Sequence, residues 1–177
     1  MVEKMTTPLM IAPVFSPAPI GPGSQPEAPA APPLADVLAD LLSYARAVTQ
    51  AEHSFHWRTR GPSFYGDHLM FERIYAGSAA DIDPIAEKLL GLTNSQDSLC
   101  PATLAAKTAQ ALADMNLSND PKAFASDALR IEMAMIALIS ATIQVCGEQM
   151  TDGLENFLQG MADKHEGHVY LLQQAVQ

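Results

Sequence analysis

Apolar residues recur three and four positions apart over four long stretches, the spacing of one face of an α-helix. The first covers residues 34–60, with Leu34, Leu38, Leu41, Ala45 and Val48 in one stripe. Continued, the stripe meets Glu52 and then Phe55 and His56. A polar group arriving at a buried position needs a partner. Gly61-Pro62 closes this helix, because glycine suits a helix end and proline the start of the next. A second helix is expected over residues 63–93. Pro84 should bend it without ending it, since Ile85, Leu89 and Leu90 resume the pattern.

Residues 94–120 are polar and turn-rich at both ends. Between them a short amphipathic helix is expected over 101–115, with Leu104, Ala105, Ala111, Leu112 and Met115 on its apolar face. Asp120-Pro121 starts a third long helix to about Cys146. Its run over 133–146 is apolar nearly all round and reads as a buried core helix too short to span a bilayer. A fourth helix covers 151–175, with Thr151 as N-cap and Leu154, Leu158, Met161, His168 and Leu172 along one stripe. His165 and His168 read as structural residues of that helix. The fold class is therefore all-α: a four-helix bundle with one long crossover, the ferritin-like arrangement, carrying a short extra helix between its second and third long helices.

Composition adds a tail and removes some partners. Residues 1–33 hold nine of the thirteen prolines, one lysine and two glutamates, which reads as an extended, largely disordered arm ahead of a bundle over 34–177. The net charge is −10 with only ten basic residues, which argues against DNA or another polyanion as partner. Cys100 and Cys146 form no CxxC motif, so reduced thiols in the cytoplasm are expected. Pro8, Pro13, Pro17 and Pro19 interrupt the apolar run a signal peptide needs, and no transmembrane segment is expected.

The candidate chemistry lies between Glu52 and Leu92. His56 and His68 flank the Gly61-Pro62 break, and His68/Glu72 and Asp83/Glu87 are pairs four residues apart, each sharing one helix face. Imidazole mixed with carboxylate suits iron or zinc, whereas calcium takes oxygen alone. His68 and Asp83 lie on roughly one side of the second helix but about 22 Å apart along its axis. One straight helix cannot bring both pairs to one ion. Two copies packed antiparallel across a two-fold axis can, which gives a homodimer two equal intersubunit sites. Trp57 should pack beside the site, and His53, one turn before His56, is an outer-shell candidate.

His56-Trp57, Gly61-Pro62, Phe64, His68, Asp83 and Glu87, with the closing DKHEGHVYLL over 163–172, resemble the Dps family of mini-ferritins over about residues 34–175. The resemblance implies a hollow dodecamer with a di-iron ferroxidase centre at each dimer interface. His56, His68 and Glu72 would come from one subunit, and Asp83 and Glu87 from its neighbour, with Glu87 best suited to bridge two irons. It implies Fe(II) oxidation by hydrogen peroxide or oxygen and storage of ferric mineral, with zinc as a substitute metal. Glu148, Asp152 and Glu155 resemble the acids lining the family's three-fold pores; otherwise they are a solvated helix start where acids suit the dipole. The competing readings are a DNA-compacting protein of the same fold and a metal-binding cage without turnover. The nearly uncharged tail stands where DNA-binding members carry a basic one. The larger ferritins build an intrachain di-iron site with Glu-x-x-His pairs. None occurs here: three residues before the five histidines stand Gln50, His53, Tyr65, Ala162 and His165. The bundle interior is thus expected to lack that di-iron site.

Overall fold

A computed structural model describes residues 32–177. Among them are five α-helices: α1 (Leu34–Arg58), α2 (Phe64–Thr93), α3 (Pro101–Asp114), α4 (Phe124–Cys146) and α5 (Asp152–Ala175). The tail over 1–33 lies outside the described residues, apart from Pro32 and Pro33. Helices α1, α2, α4 and α5 form the bundle, and α3 packs across α1. The most extensive pairings are α1 with α2 and α4 with α5. The all-α bundle with a short helix in its long crossover is therefore the observed fold.

Each helix follows from its stripe and its ends. The α1 stripe of Leu38, Leu41, Leu42, Ala45, Val48 and Phe55 is buried, and Glu52 is buried with it. Helix α1 stops at Arg58, where the Thr59 amide bonds the Phe55 carbonyl and Gly61 turns the chain at φ +105°, a conformation glycine adopts without a Cβ penalty. Helix α2 runs unbroken past Pro84, which removes the donor to the Ala80 carbonyl. It ends at Asn94 in the left-handed region, with the Asn94 amide on the Leu90 carbonyl at 2.8 Å. The Thr151 side chain caps α5 by accepting from the Leu154 amide at 3.1 Å. The Leu34 amide donates to Gln149 Oε1 at 3.0 Å, tying the start of α1 to the turn before α5.

Phe55, Phe71 and Phe124, from α1, α2 and α4, meet in the core with ring centroids 5.7 and 4.7 Å from Phe55. Burying each such ring contributes about 2–3 kcal/mol. The structure corrects the reading of the third long helix. A 3₁₀ turn, Pro121–Ala123, precedes α4, and the helical segment Pro121–Gln149 is 29 residues long, enough by length and composition to cross a membrane. Nor is it buried all round. Its inner face (Phe124, Ala128, Ile131, Met135, Ile139) packs in the bundle, while Met133 and Val145 face outward. Small residues and one-sided packing made the run look uniformly apolar.

Candidate metal centre

The turn between α1 and α2 brings His56 and His68 together. Their rings stack with centroids 3.8 Å apart. His56 Nδ1 donates to the His68 carbonyl at 2.9 Å, and His68 Nδ1 donates to the His56 carbonyl at 3.0 Å. A carbonyl can only accept, so each ring carries its proton on Nδ1 and keeps the Nε2 lone pair free. This is the usual arrangement of a metal-ligating histidine, whose other nitrogen is anchored to a backbone oxygen. The His56 carbonyl lies in the last turn of α1, where helix carbonyls have no partner of their own. The Thr59 hydroxyl adds a second bond to it at 3.2 Å.

Glu72, Asp83 and Glu87 are exposed on α2. They belong to one outward row, Tyr65, Leu69, Glu72, Ala76, Ala80, Asp83, Glu87 and Leu90, all exposed and spaced three or four apart. Within the chain, His56 and His68 are together, Glu72 is one turn beyond His68, and Asp83 and Glu87 are remote. His53 stacks on Tyr75 (4.1 Å) and meets the tilted Trp57 ring (4.0 Å), beside the pair. Trp57 is not a core residue: it is 67% exposed, and Phe64, Tyr65 and Leu69 at the start of α2 are exposed too. Glu148 lies in the 3₁₀ turn Gly147–Gln149, with Asp152 and Glu155 in the first turn of α5.

The bundle interior is a second finding: it holds no Glu-x-x-His pair, yet it gathers a buried polar cluster. Four helices send polar side chains to one buried point: Glu52 from α1, Ser78 and Asp81 from α2, Glu132 from α4, and His165 and His168 from α5. His165 Nδ1 bonds Glu132 at 2.5 Å and its Nε2 faces Asp81 at 3.2 Å. His168 Nδ1 bonds the other Glu132 oxygen at 2.9 Å. Lys164 pairs with Asp81 and also reaches the Gly77 carbonyl at 3.3 Å. Burial would raise Glu132, but hydrogen bonds from His165 and His168 outweigh it and hold Glu132 at about 2. Burial would lower His165, but Asp81 and Glu132 hold it up at about 9. Burial, and then the Glu132 carboxylate, push Glu52 well above the usual carboxylate range. Among the described residues, one group of three side chains converges at metal-binding separations, namely Glu132, His165 and His168, whose ligand atoms all lie within 4.8 Å of one another.

A search for Glu-x-x-His misses this cluster because its pairs are Ser78/Asp81 and His165/His168. Glu52 was legible as a polar interruption of the α1 stripe, whereas Glu132, Ser78 and Asp81 stood in no motif.

A bundle with one long crossover and imidazole and carboxylate groups on its helices agrees with comparison to known proteins. The ferritin-like domain model matches residues 34–177, and the chain belongs to the ferritin-like family. Within that family it falls with the Dps proteins. It is 26% identical over 122 residues to the DNA protection during starvation protein of Brevibacillus brevis, covering 68% of this chain and 79% of that one. Over 40 residues it is 48% identical to DNA protection during starvation protein 2 of Bacillus anthracis, a match spanning 23% of this chain and 27% of the relative's length. The crystal structure of a Dps protein from Bacillus brevis superposes with a TM-score of 0.70 at 22% identity, covering 81% of this chain and 95% of that one. At that identity the likeness is one of fold.

Proposed function

We propose that the chain is an iron-storage mini-ferritin that oxidises Fe(II) at a centre shared by two subunits. The carrying observation is the histidine pair, anchored through Nδ1 and free at Nε2, on the face where α2 also presents Glu72, Asp83 and Glu87. The midpoint between the His68/Glu72 and Asp83/Glu87 pairs falls between Ala76 and Ala80. These small side chains permit close approach of two antiparallel α2 helices, and the exposed Trp57, Tyr65 and Leu69 supply apolar area around them. Across such a two-fold, His56, His68 and Glu72 of one subunit meet Asp83 and Glu87 of the other.

Fe(II) is the substrate. The imidazoles bind it without adding charge, and the carboxylates favour the trivalent product. Two Fe(II) each give one electron to one hydrogen peroxide, which leaves as two hydroxides; oxygen is the alternative oxidant. Ferric product collects inside a homo-oligomeric cage, a dodecamer in this reading, in the cytoplasm. Glu148, Asp152 and Glu155 would guide Fe(II) inward at three-fold contacts. The net charge of −10 speaks against DNA as a partner, although relatives carry DNA protection in their names.

The test follows Fe(II) oxidation by ultraviolet absorbance, with peroxide and then with air, in wild type and in His68→Ala/Asp83→Ala. The expected result is oxidation well above the protein-free rate and at least about tenfold slower in the variant. A wild type no faster than the blank rejects the ferroxidase reading and leaves a cage without turnover, to be followed by a DNA-retardation assay.

A further inference from the structure

We propose that the bundle interior is a second metal site, holding a single divalent transition-metal ion between Glu132, His165 and His168, with Glu52 as the fourth ligand. It is separate from the surface histidine pair and rests on its own geometry.

The donor set is two imidazoles and a carboxylate whose ligand atoms lie within 4.8 Å of one another, all buried. A tetrahedral shell with bonds of about 2.0–2.2 Å sets its ligand atoms roughly 3.3 Å apart, so an ion that displaces the proton His165 holds between Glu132 and Asp81 finds its ligand atoms close to that spacing. The independent sign of a ligand is Glu52. It is wholly buried, and neither of its carboxylate oxygens has a hydrogen-bond partner. Burial and the Glu132 carboxylate push it toward its neutral form without metal, and an incoming cation would displace that proton. Nitrogen and oxygen donors together select zinc, cobalt or ferrous iron over calcium or magnesium.

Lys164 limits the site to one ion. In ferritin-like di-metal bundles, two helices each give one carboxylate and two give an i,i+3 pair. This chain keeps that layout: Glu52 and Glu132 are single, and Ser78/Asp81 and His165/His168 are paired. However, Asp81 is already paired with the Lys164 ammonium, which stands as a fixed cation on the α2 side. Serine replaces an acid at the other α2 position. A second ion would meet a positive charge and too few ligands.

The site also has an access route. A surface cleft of about 400 Å³ between α2 and α5 is lined by Arg73, Gly77, Asp163, Lys164, Gly167 and His168. Gly77 and Gly167 line it beside His168, and exposed Asp163 adds a carboxylate to the lining.

The test is a Co(II) titration of metal-stripped full-length protein, read by visible d–d absorption and by stoichiometry. The parent for the test is His56→Ala/His68→Ala, whose interior is untouched. The expected result is one Co(II) per chain with the intense bands of a four-coordinate ion. Adding His168→Gln should abolish the bands, and adding Glu52→Gln should shift them and weaken binding about tenfold. Circular dichroism checks folding of each variant. If a folded parent binds no Co(II), the site does not exist. If Glu52→Gln and His168→Gln leave the bands unchanged, the metal is held elsewhere and the proposal fails. Loss of Fe(II) oxidation in the parent, with Co(II) binding retained, separates this site from the ferroxidase reading.

Discussion

Glu52 carries an opposed pair of effects on one side chain. Without metal it is a buried acid beside a second carboxylate, pushed toward its neutral form by burial and by Glu132, with neither oxygen in a hydrogen bond. Glutamine keeps its shape and removes the ionisable group. Glu52→Gln should therefore raise the stability of the metal-free protein at pH 8 by about 1–3 kcal/mol while weakening its hold on a cation. Thermal unfolding of stripped protein, wild type against variant, reads this directly. An unchanged or lowered Tm would mean that Glu52 has a partner the geometry does not show. The surface pair is a different case. His56 and His68 were legible as ligand candidates because two histidines flank a break between helices, and a turn at Gly61 brings such ends together. Their reciprocal bonds to each other's carbonyls were not legible, since these depend on side-chain torsions that no spacing rule encodes.

The helix limits were largely legible, because they depend on local chemistry. Thr151 caps α5, Asn94 ends α2, and Gly61 turns the chain after α1. What the pattern could not give was which side of α4 faces inward, because alanines and serines between the large residues blur the stripe. The approach of α2 to α5 is set by one residue that carried no signal on its own. A Cβ on Gly77 would lie 2.6 Å from His168 Nε2 and 2.8 Å from its Cε1. The imidazole cannot swing aside without losing its bond to Glu132. Gly77→Ala should thus cost about 1–3 kcal/mol despite alanine's better helix propensity. Chemical denaturation gives the value, and a stabilised variant would mean the two helices slide apart freely.

At the scale of the whole molecule, the buried network gives the metal-free fold a pH profile. His165 stands at about 9 against an ordinary 6.5, so its contribution is complete below about pH 6.5 and is lost as pH rises through 9. Glu132 stands at about 2 against an ordinary 4.5, so its contribution is complete above about pH 4.5 and is lost as pH falls through 2. Glu52, raised instead, adds a further loss on the alkaline side from about pH 4.5 upward. The groups facing His165 are Asp81 from α2, Glu132 from α4, and Lys164 and His168 from α5, with Glu52 from α1 beside Glu132. Stripped protein should be most stable near pH 5 and lose on the order of a few kcal/mol by pH 9. Glu132→Gln should flatten that decline. Melting curves across this range test it, and a wild type as stable at pH 9 as at pH 6 would dismiss a charged network. The network was the least legible feature of the sequence. Its members come from four helices and share no contiguous motif.

The crossed bonds between His56 and His68 have one more consequence. Each Nδ1–H···O bond strengthens when the opposite nitrogen gives up electron density to a cation, so loading the face also tightens the turn over 59–63. Linkage makes the relation reciprocal: whatever holds that turn closed raises the affinity of the face by the same factor. The turn and Asp120–Lys122 line a neighbouring cleft of about 500 Å³. Under the proposed ferroxidase reading, anything wedged there to prise the turn apart would lower iron affinity without touching a ligand. The hairpin is thus a potential inhibitory handle on the surface centre.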